Sequence, residues 1–118
     1  MNLNENLIPQ IEPRQLAEWL TSLPDLVVLD VREAEELRYA HIDHPCVIFL
    51  PLSKLANGDT QALAGIGQDR TVVVMCHVGV RSGMVASWLR YNGFLKVYNL
   101  TGGIDGYARE VDPSVGLY

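Results

Sequence analysis

With 118 residues, 48% of them apolar and 19% charged, the chain is long enough to bury a core without disulfides or metals and too apolar for extended disorder. Its net charge of −5, with no local cluster of Lys or Arg to offset it, disfavours nucleic acid and anionic membrane surfaces as partners. Residues 1–10 carry no signal-peptide pattern, and the longest apolar stretch, residues 46–52, is far short of the roughly 20 residues that cross a bilayer, so a cytoplasmic location is expected.

Apolar runs of strand length alternate with helical patterns along the whole chain. A short first strand is predicted near residues 7–11, followed by a helix over 13–22 that opens on Pro13 and lines one face with Leu16, Trp19, Leu20 and Leu23. Residues 26–31 read as a strand carrying Asp30, and residues 33–39 as a short charged helix with Ala34 and Leu37 inward. A third strand covers 47–50, closed by Pro51; the segment 52–67 shows one helical turn near 53–56 and bends at Gly58, Gly65 and Gly67. The fourth strand, 72–75, has no polar alternation, as expected where helices cover both faces of a sheet. In the helix over 82–92 the apolar residues Met84, Val85, Trp88 and Leu89 recur at helical spacing, with Gly93 as the cap. A fifth strand, 97–100, turns at Gly102 and Gly103 into a last helix over 104–109. This alternation predicts an α/β fold, a largely parallel sheet with helices on both faces. One domain over 1–118 is expected, with a flexible N-terminus over 1–7.

The chemistry concentrates in one loop. Cys76 ends the fourth strand and is followed by His77, Val78, Gly79, Val80, Arg81 and Ser82. In such sheets ligands sit beyond the carboxyl ends of the strands. A cysteine there, before a loop with glycine and a helix N-terminus, places a thiol among backbone N–H donors, and positive potential favours the reactive thiolate. Gly79 permits the backbone to curve over the sulfur, so that successive amides form a small anion cradle.

Cys76-His77-Val78-Gly79-Val80-Arg81-Ser82, with Asp30-Val31-Arg32-Glu33, His41-Ile42 and Pro51-Leu52 upstream and Tyr98-Asn99-Leu100-Thr101-Gly102-Gly103-Ile104 downstream, resembles a single-domain rhodanese over residues 11–112. The resemblance implies a five-stranded rhodanese-like sheet and a sulfurtransferase. Cys76 would take a sulfane sulfur from thiosulfate or a persulfide, a small anionic donor, and hold it as a cysteine persulfide for a thiol, cyanide or protein acceptor. It implies no metal or organic cofactor. Related phosphatases and arsenate reductases carry five residues between cysteine and arginine; the four between Cys76 and Arg81 favour a sulfur-sized pocket. A catalytically idle rhodanese-like module used for protein binding or sensing is the rival reading, which the retained cysteine disfavours.

The remaining candidates are weighed against structural roles. Arg81 is assigned to bracing the loop or meeting the donor's anionic end, because a bare cation at a helix N-terminus opposes the helix dipole. Asp30 and Arg32 are supporting residues, with Asp30 paired to Arg32 or Arg81. His77 is divided between touching substrate and lining the rim. Cys46, at the head of a predicted core strand, reads as structural. His41 and His44 lack a third ligand at metal spacing and read as bracing or solvent-facing. The run Glu33, Glu35, Glu36 reads as a solvated helix face.

Overall fold

The computed structural model describes residues 7–118, so most of the expected flexible segment 1–7 lies outside the described residues. In chain order the elements are β1 (Gln10–Ile11), α1 (Pro13–Ser22), β2 (Val27–Asp30), a 3-10 turn (Ala34–Arg38), β3 (Val47–Phe49), α2 (Leu52–Ala56) and α3 (Gln61–Ala64). There follow β4 (Thr71–Met75), α4 (Val80–Tyr91), β5 (Lys96–Leu100), α5 (Gly103–Glu110) and a second 3-10 turn (Pro113–Val115). The strands form one sheet of order β1-β5-β4-β2-β3, parallel throughout.

Both faces of the sheet are apolar, for the reason visible in β4: all five of its residues are buried. On one face Val27, Leu29, Val72 and Val74 pack with Val85, Ala86 and Leu89 of α4 and Leu63 of α3. On the other, Val28, Val73 and Met75 pack with Leu16 of α1 and Ile104 and Tyr107 of α5. Burying side chains of this size is worth about 1.5–3 kcal/mol each before the entropy of ordering them is counted.

The sheet order contains a reversal. From β2 the chain moves outward to the edge strand β3, then returns to place β4 on the other side of β2 and continues to β5. The segments leaving β2 and β4 therefore diverge from adjacent strand ends and open a crevice at their C-terminal edge. Val31 follows β2 into it, its N–H donating to the Met75 carbonyl at 3.0 Å.

Several expectations need correction. β1 is two residues long and starts at Gln10 rather than near Leu7. The segment 34–38 is a 3-10 turn with Ala34 exposed, because five residues cannot present an apolar face. Only half of the apolar stripe on α4 faces the core: Val85 and Leu89 are buried, whereas Met84 and Trp88 remain exposed at the groove beside α2. β3 is half-buried rather than a core strand, since an edge strand has one neighbour.

Candidate active site

Cys76 leaves the central strand β4 and is 1% exposed. Its Sγ accepts a hydrogen bond from the Gly79 N–H at 3.0 Å and lies 3.2 Å from the Ser82 hydroxyl. Gly79 takes φ +108°, a left-handed conformation that lets the chain fold back over the sulfur and start α4. The ring of amides expected from the sequence is thus reduced at the sulfur itself to one N–H donor, from Gly79, because the single proton of the neighbouring Ser82 hydroxyl goes to Asn99 Oδ1. The Val80, Arg81 and Ser82 amides precede the first bond of α4, Gly83 N–H to the Gly79 carbonyl, and have no hydrogen-bond partner among the described residues, as free helix-end donors at the head of α4.

A second helix end fixes the loop from behind. The Ile104 amide donates to the Cys76 carbonyl at 2.9 Å and the Asp105 amide to the His77 carbonyl at 3.0 Å. With these two carbonyls drawn toward α5, the loop's N–H groups are left for the sulfur side. Gly103 makes the approach possible: its φ is +61°, and a Cβ there would lie 2.3 Å from the His77 carbonyl oxygen. The Gly102-Gly103-Ile104 turn is therefore a docking feature for the loop.

Asn99 on β5 ties the pieces together. Its Nδ2 donates to the Gly79 carbonyl at 3.1 Å and to Gln10 Oε1 at 3.0 Å, which leaves Oδ1 to accept from the Ser82 hydroxyl. One buried amide thus holds the strand β1, the loop glycine and the hydroxyl beside the sulfur.

The charged residues form a layer beside the loop. Arg32 is fully buried and doubly hydrogen-bonded to Asp30, Nε at 2.9 Å and Nη2 at 2.8 Å. Arg81 directs both terminal nitrogens at Glu36, at 2.7 and 2.8 Å. The same carboxylate accepts from the Glu33 amide and from the Tyr118 hydroxyl, each at 2.8 Å. Tyr118 in turn accepts from Arg32 Nη1 at 3.2 Å, and its ring stacks on His77 with centroids 3.9 Å apart and planes at 11°. The Arg81 guanidinium holds the Glu36 carboxyl well below the usual carboxylate range, at about 2, against burial, which raises it. Burial pushes the Tyr118 phenol up, so it remains a donor at neutral pH.

Of the residues predicted for the site, Cys76, Gly79 and Ser82 meet at the sulfur, and Asp30 and Arg32 meet each other at the end of β2, where Asp30 lies beside Met75. Arg81 is paired with Glu36. Val78 and Val80 are exposed at the rim, and His77 lies on Tyr118 with its Nε2 buried and unpartnered among the described residues. Reading the acidic run as a solvated face missed Glu36, whose distant partners Arg81 and Tyr118 no local pattern displays. Asn99 was legible in principle, as a polar residue inside an apolar strand; Tyr118 carried no signal. Cys46 is half-buried and remote in sequence from these contacts, with burial raising its thiol. His44 is pinned between the Cys46 amide at 3.1 Å and the Leu20 carbonyl at 3.2 Å, a bracing role. Among the described residues no group of three or more His, Cys, Asp or Glu is arranged for a metal ion, and no helix is long and apolar enough to cross a membrane.

Residues 12–110 match the rhodanese-like domain family. The chain belongs to that family. Its curated relatives include the probable adenylyltransferase/sulfurtransferase MoeZ of Mycobacterium tuberculosis, 37% identical over 92% of this chain and 26% of the relative. The putative sulfur carrier protein YrkF of Bacillus subtilis is 33% identical over 86% of this chain and 51% of its own length. A tRNA uridine(34) hydroxylase of Xanthomonas euvesicatoria is also similar, at 36% over 87% and 44%. Among solved structures, the polysulfide-sulfur transferase homodimer of Wolinella succinogenes superposes with a TM-score of 0.74 at 27% identity, covering 87% of this chain and 74% of that one. The chain thus spans from about a quarter to about half of the curated relatives it matches. Rhodanese-like domains with sulfurtransferase and sulfur-carrier relatives are the setting in which the site is read.

Proposed function

We propose that this rhodanese-like domain is a sulfurtransferase that carries sulfane sulfur as a persulfide on Cys76. The observation that carries the reading is the position of the Cys76 sulfur, under the Gly79 amide and beside the Ser82 hydroxyl at the head of α4. The fixed Gly79 N–H and the positive end of α4 stabilise negative charge on sulfur at this point.

In the loading step the Cys76 thiolate attacks the outer sulfur of the donor. The new S–S bond joins that sulfur to Cys76 as the donor's own bond breaks; thiosulfate would release sulfite, and a persulfide R–S–SH would release its thiolate. The outer sulfur then sits about 2.05 Å beyond Sγ, within the space served by the unpaired amides of Val80, Arg81 and Ser82. Where that sulfur is an anion, as on loading from thiosulfate or once a transferred S–H has ionised, its negative charge is stabilised there, which is the electrostatic contribution to rate. In unloading, a thiol, a protein cysteine or cyanide attacks the outer sulfur, and the thiolate of Cys76 leaves. No electrons are gained or lost overall, and no cofactor is required.

The bracing residues keep this geometry in place: Asn99 fixes Gly79 and Ser82, Arg81 with Glu36 fixes the first turn of α4, and Asp30 with Arg32 supports the end of β2 beside Met75. Steady-state formation of thiocyanate from a sulfur donor and cyanide tests the reading. Turnover that disappears in Cys76→Ala is expected. Absence of thiocyanate from thiosulfate and from a persulfide alike would favour a binding module, and phosphate release from an aryl phosphate would favour the phosphatase reading.

A further inference from the structure

Arg32 and Arg81 are both spent on carboxylates. Arg32 is enclosed by Asp30 at 0% side-chain exposure, and Arg81 has both terminal nitrogens on Glu36. The charges cancel in pairs, and the Glu36 carboxylate is itself saturated by the Glu33 amide and the Tyr118 hydroxyl, so it is held to this orientation. Its low titration point, about 2, keeps the pair intact at every pH where the protein would work. What faces outward at the rim is apolar: Val78 is 52% exposed and Val80 70%, with exposed Met84 one turn along α4. The third rim group, His77, lies flat on Tyr118.

A dianionic donor is badly served by this mouth. Thiosulfate brings two negative charges toward a thiolate, and its sulfonate would have to rest outside the amide cradle, where Arg32 and Arg81 are both committed to carboxylates. Like charges at such range repel, least in high salt. An alkyl persulfide places only a sulfur atom in the cradle, and its carbon carrier meets valines. We propose that the donor class for this site is an organic persulfide, R–S–SH, and that Glu36 is the positioning residue that sets the preference by holding Arg81 away from the incoming donor. The inference rests on the sulfurtransferase reading above. The step it selects is Cys76–S⁻ + R–S–SH giving Cys76–S–SH + R–S⁻: the S–S bond of the donor breaks, the bond to Cys76 forms, and the proton stays on the transferred sulfur.

The test is the initial rate of Cys76 persulfide formation, read by intact-protein mass, with thiosulfate, 2-hydroxyethyl persulfide and a persulfidated cysteine peptide as three separate donors. In the wild type either persulfide should load at least about tenfold faster than thiosulfate at equal concentration. The two persulfide arms tell a small-molecule source from a protein-borne one. Glu36→Gln keeps a hydrogen-bonding partner for Arg81 but removes its countercharge; the ratio of thiosulfate to persulfide loading should rise about fivefold, mainly through a lower thiosulfate KM. The wild type alone gives a second reading. Raising salt from about 0.05 to 0.5 M should speed thiosulfate loading, because it screens repulsion, whereas an attracting guanidinium would make it slow. Equal loading by all donors, an unchanged ratio in Glu36→Gln, or thiosulfate loading that slows with salt would overturn the proposal. Failure of every donor to load Cys76 would instead overturn the sulfurtransferase reading on which it rests.

Discussion

The amide of Ile104 lies 2.9 Å from the carbonyl oxygen of Cys76, so the last helix of the chain grips the residue that ends the central strand. The contact depends on Gly103, whose missing side chain leaves room for the His77 carbonyl. Gly103→Ala would put a Cβ into backbone that is tied down on both sides, and in a left-handed conformation as well. The variant is expected to lose about 2–4 kcal/mol of stability, measured by urea unfolding. A loss under about 0.5 kcal/mol would show that the loop and α5 are not rigidly docked.

Asn99 serves three partners at once, so its removal should be felt at the loop as well as in global stability. Asn99→Ala leaves the Gly79 carbonyl and the Ser82 hydroxyl without that partner, for an expected cost of about 1–3 kcal/mol. The specific signature is faster hydrogen exchange at the Gly79 amide, the donor to Cys76. Exchange unchanged from wild type would mean that Asn99 does not hold this peptide in place.

The Glu36–Arg81 pair makes stability depend on pH in one direction. Folding lowers the Glu36 carboxyl to about 2, below its unfolded value, so the unfolded state binds the proton more readily. The contribution is complete above about pH 4.5 and fades as the pH falls toward 2. Wild type should therefore exceed Glu36→Gln by about 2 kcal/mol at pH 7, with the gap closing by pH 2–3 in denaturant titrations. A gap of constant size across that range would assign the effect to packing instead.

Cys46 offers a control within the same chain. It is half-buried beside the edge strand, and burial raises its thiol, which leaves it mostly protonated at neutral pH. Cys46→Ala should retain sulfur transfer within about twofold while losing roughly 1 kcal/mol of stability. Loss of turnover in this variant would point to a resolving or relay cysteine.

The central part of this architecture was readable from residue order. The apolar run before Cys76 fixes a strand covered on both faces, and Pro13 and the residues after it fix α1, because these signals are local and agree with the packing. The loop was readable for the same reason: Gly79 and the start of α4 follow Cys76 directly. What stayed hidden depends on residues far apart in sequence. Glu36 and Arg81 are 45 residues apart, and the Tyr118 contact to Arg32 spans 86, so an acidic run looked like an ordinary wet helix face. Met84 and Trp88 share the spacing of core residues, but where α4 passes the short α2 the core ends, and periodicity alone does not show that boundary.

The most direct test follows the sulfur atom itself. Protein incubated with a persulfide donor, freed of excess reagent and digested without reductant should show one added sulfur on the peptide that carries Cys76, removed by cyanide and absent from Cys76→Ala. The extra sulfur found on Cys46, or on no peptide at all, would contradict the account.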